Sequence, residues 1–318
     1  MFKLLFLGYS DIVQRRVLQA TKGIAHIDCY AIASQSRRNA LCTNEPGTKY
    51  FSDYGTALRE FTPDIVYVSL VNADHSQWVS ESLNAGAHVI VDKPAFQTVK
   101  EAINLVNLSR DRGLMLAEAL VYAVHPQIAT IKRCFSDSGS CIRHISIQFT
   151  IPPLDPGNFR YQPSLGGGAL LDLGPYAVSV GRLFYDSYPT EIFCSVAKSH
   201  EHIEVETAFS MLATYPQGET VTGHFDFNGE YTNQLTAIGP ELSVRLKRLF
   251  TNPSDLENVI LCRRNNKSEN LIVPQADTFK IFFEQVIDAI ICKRYEPYAT
   301  NLLADARARE QLIHSSMV

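Results

Sequence analysis

The chain has 318 residues, of which 46% are hydrophobic and 19% charged, and its formal net charge is -4. This length is too great for one ordinary domain and suits two, each with a substantial core. Lysine and arginine are scattered singly or in pairs, which argues against a nucleic-acid partner or a polybasic membrane anchor, so we expect a small-molecule ligand.

The seven cysteines are widely separated and include no C-x-x-C pair. This spacing argues against a disulfide framework and a thiolate metal site, and the histidines show no zinc-binding spacing, so no metal is expected. The N-terminal apolar run is short and polar residues follow it at once. We therefore interpret it as a first strand, not a signal peptide, and expect a cytoplasmic protein.

The first 120 residues alternate short apolar runs with amphipathic helical segments. Predicted strands are Lys3–Leu7, Asp28–Ala33, Ile65–Leu70, His88–Val91 and Leu114–Glu118. Predicted helices lie near Ile12–Thr21, Asp53–Glu60, Ser76–Ala85 and Val99–Arg112. Strands separated by helices favour right-handed crossovers and an α/β Rossmann-type, doubly wound parallel sheet, so residues 1–120 are predicted to form a dinucleotide-binding domain.

Such a sheet binds ligands at the carboxyl ends of its strands, and the candidate cofactor-binding residues follow those ends. They are Gly8, Ser10, Asp11, Ile12, Ser34, Ser36, Arg37, Arg38, Leu70, Asn72, His75, Asp92, Lys93 and Pro94.

The turn after the first strand stands where a dinucleotide-binding fold carries G-x-G-x-x-G, but only Gly8 is present. Ser10 and Val13 replace the other two glycines. A plain strand-to-helix turn explains this segment about as well as a phosphate-binding turn does. Ser10 or Asp11 could still cap the helix and leave its N–H groups facing a pyrophosphate.

The second strand is followed by Ser34-Gln-Ser-Arg-Arg38, with no acidic residue to bind the ribose hydroxyls. Serines and guanidinium groups suit a 2′-phosphate, so NADP(H) is preferred, with NAD(H) as the alternative. A solvated turn that opens a helix is the competing interpretation for Arg37 and Arg38.

The fourth strand ends in Asp92-Lys93-Pro94. Proline fixes its own φ and disfavours the helical region for the preceding residue, so Lys93 is predicted at a rigid position on the rim of the sheet. Taken alone, a lysine at a strand end is more often a solvated charge, and only other features of the chain can reverse that interpretation.

Beyond residue 120 the pattern changes to one helix, Pro126–Phe135, followed by a run of strands. These are Ile142–Thr150, Glu191–Ala197, Glu204–Tyr215, Thr220–Phe227 and Gln234–Ile238, with final helices at Thr278–Ile291 and Leu302–His314. The pattern predicts that residues 121–318 form an α+β domain with a large, mostly antiparallel open sheet. We expect this domain to serve substrate binding and oligomerisation. The C-terminal helix could pack back on the first domain.

Three consecutive glycines, Gly166 to Gly168, precede a helical pattern in this half. Glycines in series allow the backbone to approach a ligand closely. If the helix begins near Ala169, Asp172 and Tyr176 stand four residues apart on one face. Pro175 is costly inside such a helix but suits a first turn if the helix begins later.

The Rossmann-like half ending in Asp92-Lys93-Pro94, followed by a sheet half with the glycine run, Asp172 and Tyr176, resembles the glucose–fructose oxidoreductase, inositol dehydrogenase and rhizopine-catabolism family. The resemblance covers nearly the whole chain. It also includes the segments His75, Gly86-x-His88-Val89, and Glu118 with Pro126.

Within that family the chain looks most like the sugar-nucleotide C3-ketoreductases. The similarity lies in Asp11–Arg16, His125–Gln127, the tyrosine at 176 and Arg248–Pro253. Departures from the family pattern are Asp92 for the usual glutamate, Ser10 for the second glycine, and Gln35 for an arginine that often follows Ser34.

The resemblance implies hydride transfer between NADP(H) and a sugar or sugar-nucleotide carbonyl, with Lys93 and Tyr176 as catalytic residues. For ketone reduction, Tyr176 would give the proton to the developing alkoxide while Lys93 donates a stabilising hydrogen bond. Ordinary tyrosine and lysine side chains, with pKa values of about 10 and 10.4, are already protonated near neutrality. Asp172, Arg160, Tyr161 and Gln162 are candidate substrate contacts.

Two alternatives stay open at this point. One is a dehydrogenase acting on a free sugar, a cyclitol or a dihydrodiol through the same residues. The other is a regulator that binds a dinucleotide without turnover. The incomplete glycine motif is compatible with a regulator, but the presence of both Lys93 and Tyr176 argues against it. We also expect a homodimer or homotetramer formed through the C-terminal sheet, with Val221, Gly223, Phe225 and Phe227 offering a broad face to a partner sheet.

Overall fold

A computed structural model describes residues 1–35, 47–197 and 203–316 and divides the chain into two compact units. The first unit contains Met1–Ala119 and Phe279–Ala306. The second contains Leu120–Thr278 and the chain from Arg307 onward. Within the described ranges, each helix is too short or too polar to cross a membrane.

The first unit is built on a parallel sheet with the order β3-β2-β1-β4-β5-β6. Its strands are β1 (Phe2–Leu7), β2 (Ile27–Ala33), β3 (Thr48–Phe51), β4 (Ile65–Val68), β5 (His88–Val91) and β6 (Leu116–Glu118). β1, β4 and β5 are almost continuously apolar and buried, as strands covered on both faces must be. The strand order changes direction between β1 and β4, so their carboxyl ends form the expected ligand-binding edge.

The helices of this unit begin where the sequence provides caps. They are α1 (Leu18–Thr21), entered through a π-helical turn at Val13–Val17, α2 (Tyr54–Phe61), α3 (His75–Asn84) and α4 (Val99–Asp111). The Asp53 side chain accepts a hydrogen bond from Thr56 N at the start of α2, and Thr98 with Glu101 forms a capping box at the start of α4.

Two helices near the end of the chain contribute residues to the first unit. They are α8 (Thr278–Ile291) and α9 (Glu296–Ser315). Ala299, Leu302 and Ala306 of α9 belong to the same buried cluster as β1, β4 and β5. The Arg110 guanidinium is paired with the Glu296 carboxylate, which ties the start of α9 to the end of α4.

The second unit carries an eight-stranded sheet with the order β14-β13-β12-β11-β7-β10-β9-β8. The strands are β7 (His144–Thr150), β8 (Glu191–Ala197), β9 (Ala208–Thr214), β10 (Thr220–Asp226), β11 (Thr232–Ile238), β12 (Leu242–Leu246), β13 (Asn258–Arg264) and β14 (Lys267–Val273). Only β7 and β10 run parallel among the described pairs. The predicted fold class is therefore confirmed for both halves of the chain.

One face of this sheet is covered by α5 (Pro126–Ser138), α6 (Ala169–Asp172) and α7 (Gly174–Tyr185). Val221, Phe225 and Phe227 are fully buried in the core beneath these helices. The expectation that they face a partner sheet is wrong, because alternation shows which residues share a face but not which face the helices cover. The opposite face carries exposed apolar side chains, including Phe193, Leu212, Val259, Leu261 and Ile272.

Candidate active site

Lys93 lies in the turn that follows β5, where the peptide bond from Lys93 to Pro94 is cis. Two side chains hold the backbone just beyond it. The Glu118 carboxylate, at the end of β6, accepts a hydrogen bond from Ala95 N at 2.8 Å. Nδ1 of His75, which is fully buried, lies 2.9 Å from the carbonyl oxygen of Pro94. The rigid position predicted for Lys93 is thus maintained by His75, which follows β4, and by Glu118, at the end of β6.

The Asp92 carboxylate is bound by two hydroxyl groups. Tyr67 donates to Oδ1 and Ser69 donates to Oδ2. The Ser69 hydroxyl also lies 2.7 Å from that of Ser10, in the turn after β1. Burial raises the pKa of Asp92, while the bonds from Ser69 and Tyr67 and the nearby charge of Lys93 act to lower it. The acid beside Lys93 is therefore fixed by a hydroxyl network across three strand ends.

Gly8 adopts φ +98°, in the left-handed region that favours glycine. A Cβ atom here would overlap the carbonyl oxygen of Ser69 and lie 2.9 Å from Cδ2 of Leu70. The close approach of the turn to the end of β4 is sufficient to require this glycine. Ser10, in place of the second glycine, accepts a bond from Val13 N at 3.3 Å, which satisfies one N–H of the first helical turn.

The other predicted cofactor residues are distributed along the same edge of the sheet. Asp11 is exposed and Ile12 half-buried at the start of the first helix, while Ser34 and Asn72 are buried at the ends of β2 and β4. Nε2 of His75 lies 3.2 Å from the carbonyl oxygen of Leu70. Ser36, Arg37 and Arg38 lie outside the described residues.

A tyrosine and a tryptophan lie beside the segment that follows β2. The Tyr54 hydroxyl is hydrogen-bonded to the backbone of Gln35, and burial raises the pKa of this phenol. The ring of Tyr54 meets that of Trp78 edge-on, with 4.9 Å between centroids. Trp78 is the one tryptophan in the chain, so it reports on this region.

In the second unit, the described contacts of the glycine run are with the chain itself. Gly167 N donates to the carbonyl of Gln162 at 3.0 Å, and Gly168 N to that of Arg160 at 2.9 Å. A Cβ on Gly167 would lie 2.6 Å from the Arg160 oxygen. The Glu206 carboxylate lies against Gly168 and accepts a bond from Leu170 N at 2.9 Å, as an N-terminal cap of α6. The glycines therefore allow two backbone segments to meet.

The predicted substrate residues lie together at this place. The Arg160 Nε pairs with Asp172 Oδ2 at 3.0 Å, and the Asp172 side chain is only 6% exposed. The Tyr161 hydroxyl accepts a bond from Leu154 N at 3.1 Å, and the Gln162 amide donates to the carbonyl of Gly157 at 3.1 Å. Arg160 thus neutralises a buried carboxylate.

The helix carrying Tyr176 begins later than Ala169. Asp172 ends α6, the chain is interrupted at Leu173, and α7 begins at Gly174 with Pro175 in its first turn. Asp172 and Tyr176 consequently belong to two helices, and their predicted alignment on one helix is wrong. The interruption arises because proline has no N–H to continue the hydrogen bonding of the first helix.

The half-buried ring of Tyr176 lies in an aromatic cluster. Its centroid is 4.7 Å from that of Phe250, 5.4 Å from Phe149 and 5.7 Å from Tyr122. The Tyr122 hydroxyl in turn lies 2.6 Å from that of Ser179. Aromatic packing on several sides restricts the ring, so the direction of the phenol is set by its neighbours.

Residues 2–120 match the model of an oxidoreductase family with an NAD-binding Rossmann fold, and residues 141–245 match the GFO/IDH/MocA C-terminal domain. A dTDP-3,4-didehydro-2,6-dideoxy-alpha-D-glucose 3-reductase from Actinomadura kijaniata is 32% identical over 86% of this chain and 82% of its own length. The chain belongs to the GFO/IDH/MocA oxidoreductase family. The predicted resemblance is confirmed.

A further relative and a solved structure resemble this chain over more than two thirds of its length. D-xylose 1-dehydrogenase (NADP(+)) 2 from Haloferax volcanii is 27% identical over 70% of this chain and 68% of its own length. The crystal structure of KijD10, a 3-ketoreductase from Actinomadura kijaniata in complex with NADP and TDP-benzene, matches with a TM-score of 0.91 and 28% identity, covering 99% of this chain and 97% of that one. KijD10 has also been solved with a lysine or a tyrosine replaced.

Several residues that contact the candidate site residues were not singled out from the sequence. Tyr67 and Ser69 bind Asp92, and Glu206 caps α6. Each of these residues lies more than 20 positions along the chain from its partner, so no local sequence pattern predicts the contact. Among the described residues, no group of three or more histidine, cysteine or acidic side chains is placed to hold a metal ion.

Proposed function

We propose that the protein is an NADPH-dependent reductase of a keto-sugar carried on a nucleotide. The observation that carries this proposal is the set of hydrogen bonds that fixes the chain on both sides of Lys93. Its neighbours Asp92, Pro94 and Ala95 are each held by a separate side chain of the sheet edge. A lysine fixed in this way suits a positioned hydrogen-bond donor better than a solvated charge, and membership of an oxidoreductase family supplies the chemical context.

The residues at the sheet edge fit a dinucleotide. Gly8 brings the turn after β1 close to the end of β4, and buried Ser34 and Asn72 occupy the ends of β2 and β4. These are the positions at which an open α/β sheet holds such a cofactor. NADPH bound there would supply the hydride. The preference for NADP(H) over NAD(H) is part of the proposal and depends on Ser36, Arg37 and Arg38.

In the proposed reaction, the carbonyl oxygen of the sugar accepts a proton from the phenol of Tyr176 as the carbonyl carbon is reduced. Lys93 donates a hydrogen bond that stabilises the charge developing on this oxygen. Asp92, held by Tyr67 and Ser69, orients the lysine that follows it in the chain. After turnover, the phenolate of Tyr176 must recover a proton from solvent.

The substrate class is proposed from the relatives. Several of them are named as reductases of a dTDP-linked keto-sugar, and KijD10 holds NADP with a TDP compound. The ion pair of Arg160 with Asp172 and the loop it closes would line the sugar subsite. A dehydrogenase of a free sugar is the second candidate, favoured by the similarity to a D-xylose 1-dehydrogenase.

The test combines binding and turnover. Quenching of Trp78 fluorescence by NADPH and by NADH is titrated for the wild type, Lys93→Ala and Tyr176→Phe, and NADPH oxidation is then followed with dTDP-linked keto-sugars and with free sugars. We expect tight NADPH binding in all three proteins and turnover of the nucleotide-linked substrate in the wild type alone. Turnover of free sugars only would favour the second candidate, and binding without turnover would favour a regulator.

We further propose a homodimer or homotetramer formed through the open face of the eight-stranded sheet. Its central strands present uncharged polar groups such as Ser146, Thr222 and Gln234, and its flanks present exposed apolar side chains such as Phe193 and Val259. The same face carries Arg245 and Arg263, but its uncharged and apolar side chains suit burial against a second copy. A monomer by analytical ultracentrifugation at micromolar concentration would contradict this.

A cytoplasmic location is also proposed, since NADPH and sugar nucleotides are metabolites of that compartment. Activity found in the soluble fraction of lysed source cells, and not in their secreted fraction, is the expected result.

A further inference from the structure

Three buried amide side chains in the second unit, those of Gln127, Asn252 and Asn258, are joined into one hydrogen-bond network. The Asn258 amide donates to Gln127 Oε1 at 2.8 Å and to Asn252 Oδ1 at 2.6 Å. Gln127 Nε2 donates to the carbonyl of Leu249 at 2.8 Å, and Asn252 Nδ2 donates to the same carbonyl at 3.2 Å. At most 5% of each of these amide residues is exposed. The network therefore ends on the backbone of a single segment.

Asn233 holds the same segment from the side of β11. Its Oδ1 accepts from Leu249 N and from Phe250 N, each at 3.0 Å. Its Nδ2 donates to Thr251 Oγ1 at 2.8 Å and to the Tyr231 hydroxyl at 3.2 Å. Asn233 thus accepts from the N–H groups of Leu249 and Phe250, while the amides described above donate to the carbonyl of Leu249.

The ring of Phe250 leaves this fixed segment and lies at the centre of the aromatic cluster. Its centroid is 4.7 Å from Tyr176, 4.9 Å from Tyr122 and 5.1 Å from Phe149. A displacement of the segment would thus be transmitted to the tyrosine ring by direct contact.

We propose that the buried amides Gln127, Asn233, Asn252 and Asn258 position the phenol of Tyr176 through Phe250. This inference rests on the proposed role of Tyr176 as proton donor. Buried amides are costly unless every group is paired, and a fully paired network fixes one geometry where an apolar core would allow several. Proton transfer depends on that geometry, since a misplacement of about 1 Å can lower the rate by about a hundredfold.

The position of Tyr176 can be measured without turnover, by ¹⁹F NMR of the full chain labelled with 3-fluorotyrosine. The chain has 14 tyrosines, and Tyr176→Phe assigns the resonance in question. Asn233→Leu, of similar size, removes the acceptor for Leu249 N and Phe250 N. Asn233→Asp keeps that acceptor, and its second oxygen can accept from the two hydroxyls. Val244→Ala, in the same core on β12, is the control for loss of stability.

We expect Asn233→Leu to shift or broaden the Tyr176 resonance, and Asn233→Asp and Val244→Ala to leave it in place. Phe250→Leu, which keeps the amides but removes the ring, should move it as well and replaces Asn233→Leu if that protein does not fold. An unchanged Tyr176 resonance in the folded Asn233→Leu or Phe250→Leu protein would overturn the inference.

Kinetics separate this inference from the proposed function. With NADPH and a keto-sugar, kcat should fall at least about tenfold in Asn233→Leu and recover in Asn233→Asp, with the KM for NADPH unchanged. The solvent isotope effect on kcat should rise as proton donation becomes slower. If Tyr176→Phe abolishes turnover while Asn233→Leu retains it, the positioning role is refuted and the proposed reaction stands. A resonance that responds in a protein without any turnover supports the positioning and refutes the reaction.

Discussion

The turn at Gly8 offers a quantitative test of the sheet edge. Gly8→Ala would place a methyl group against the carbonyl oxygen of Ser69 while keeping a left-handed φ of +98°. The left-handed conformation costs a non-glycine residue about 1–2 kcal/mol. Relief of the overlap requires a backbone shift that costs about 1–3 kcal/mol more. We therefore expect a loss of about 2–5 kcal/mol in the free energy of unfolding.

The chain provides a matched control at Gly86. This glycine has φ +86°, and nothing lies within 4 Å of the Cβ it would gain. Gly86→Ala should cost only the conformational part, about 1–2 kcal/mol. Any excess in Gly8→Ala then measures the close approach alone.

Urea unfolding followed by Trp78 fluorescence is the appropriate assay, because this single tryptophan lies on α3 of the first unit. Gly8→Ala should also weaken NADPH binding, whereas Gly86→Ala should not. Equal unfolding midpoints for the two variants would refute the argument that the contact with Ser69 requires glycine.

Three further outcomes are expected. Because burial raises the folded-state pKa of Asp92, the wild type loses stability as pH rises through that pKa, and Asp92→Asn should flatten thermal stability against pH while lowering kcat. Arg160→Gln should cost about 2–3 kcal/mol by leaving the Asp172 carboxylate buried and unpaired, and adding Asp172→Asn should recover most of it in a double-mutant cycle by urea unfolding. Burial lowers the pKa of His125 to about 4, so the wild type loses stability as pH falls from 6.5 towards 4. The variant His125→Asn can still accept the hydrogen bond from Gln127 N, and its melting temperature should depend less on pH between these values.

Features that depend on residues adjacent in the chain were predictable from the sequence. The proline after Lys93 indicated a fixed, non-helical turn, and Pro175 indicated that a helix could begin at its own first turn. The alternation of strands and helices was sufficient for the fold of residues 1–120. These signals are local because they depend on φ restriction and on hydrophobic periodicity.

Contacts between distant residues were not predictable in the same way. The serine at position 10 appears in the sequence as the loss of a glycine, whereas in the fold its hydroxyl meets Ser69 and joins the Asp92 network. In the sequence the glycine run indicates a close approach to a ligand, but the carbonyls that it meets belong to residues 160 and 162. Only the fold brings these groups together.

Several strands were also missed, namely β3, β12, β13 and β14. The hairpin of β13 and β14 turns at Asn265 and Asn266, with φ of +49° and +60°. Two successive left-handed residues form the tight turn that suits twisted strands. The flanking Arg263, Arg264 and Lys267 interrupt the apolar alternation by which a strand is recognised, so the sequence around this turn does not indicate a hairpin.

The order of the chain in the first unit has a consequence for synthesis. The core of β1, β4 and β5 also contains Ala299, Leu302 and Ala306, which emerge from the ribosome after the whole eight-stranded sheet. At about 5–20 residues per second, the N-terminal sheet waits roughly 10–40 s for the helix that covers part of it. During that interval its apolar surface is exposed, so a chaperone would have most to protect at this stage, and residues 1–119 expressed alone should aggregate unless residues 279–306 are supplied.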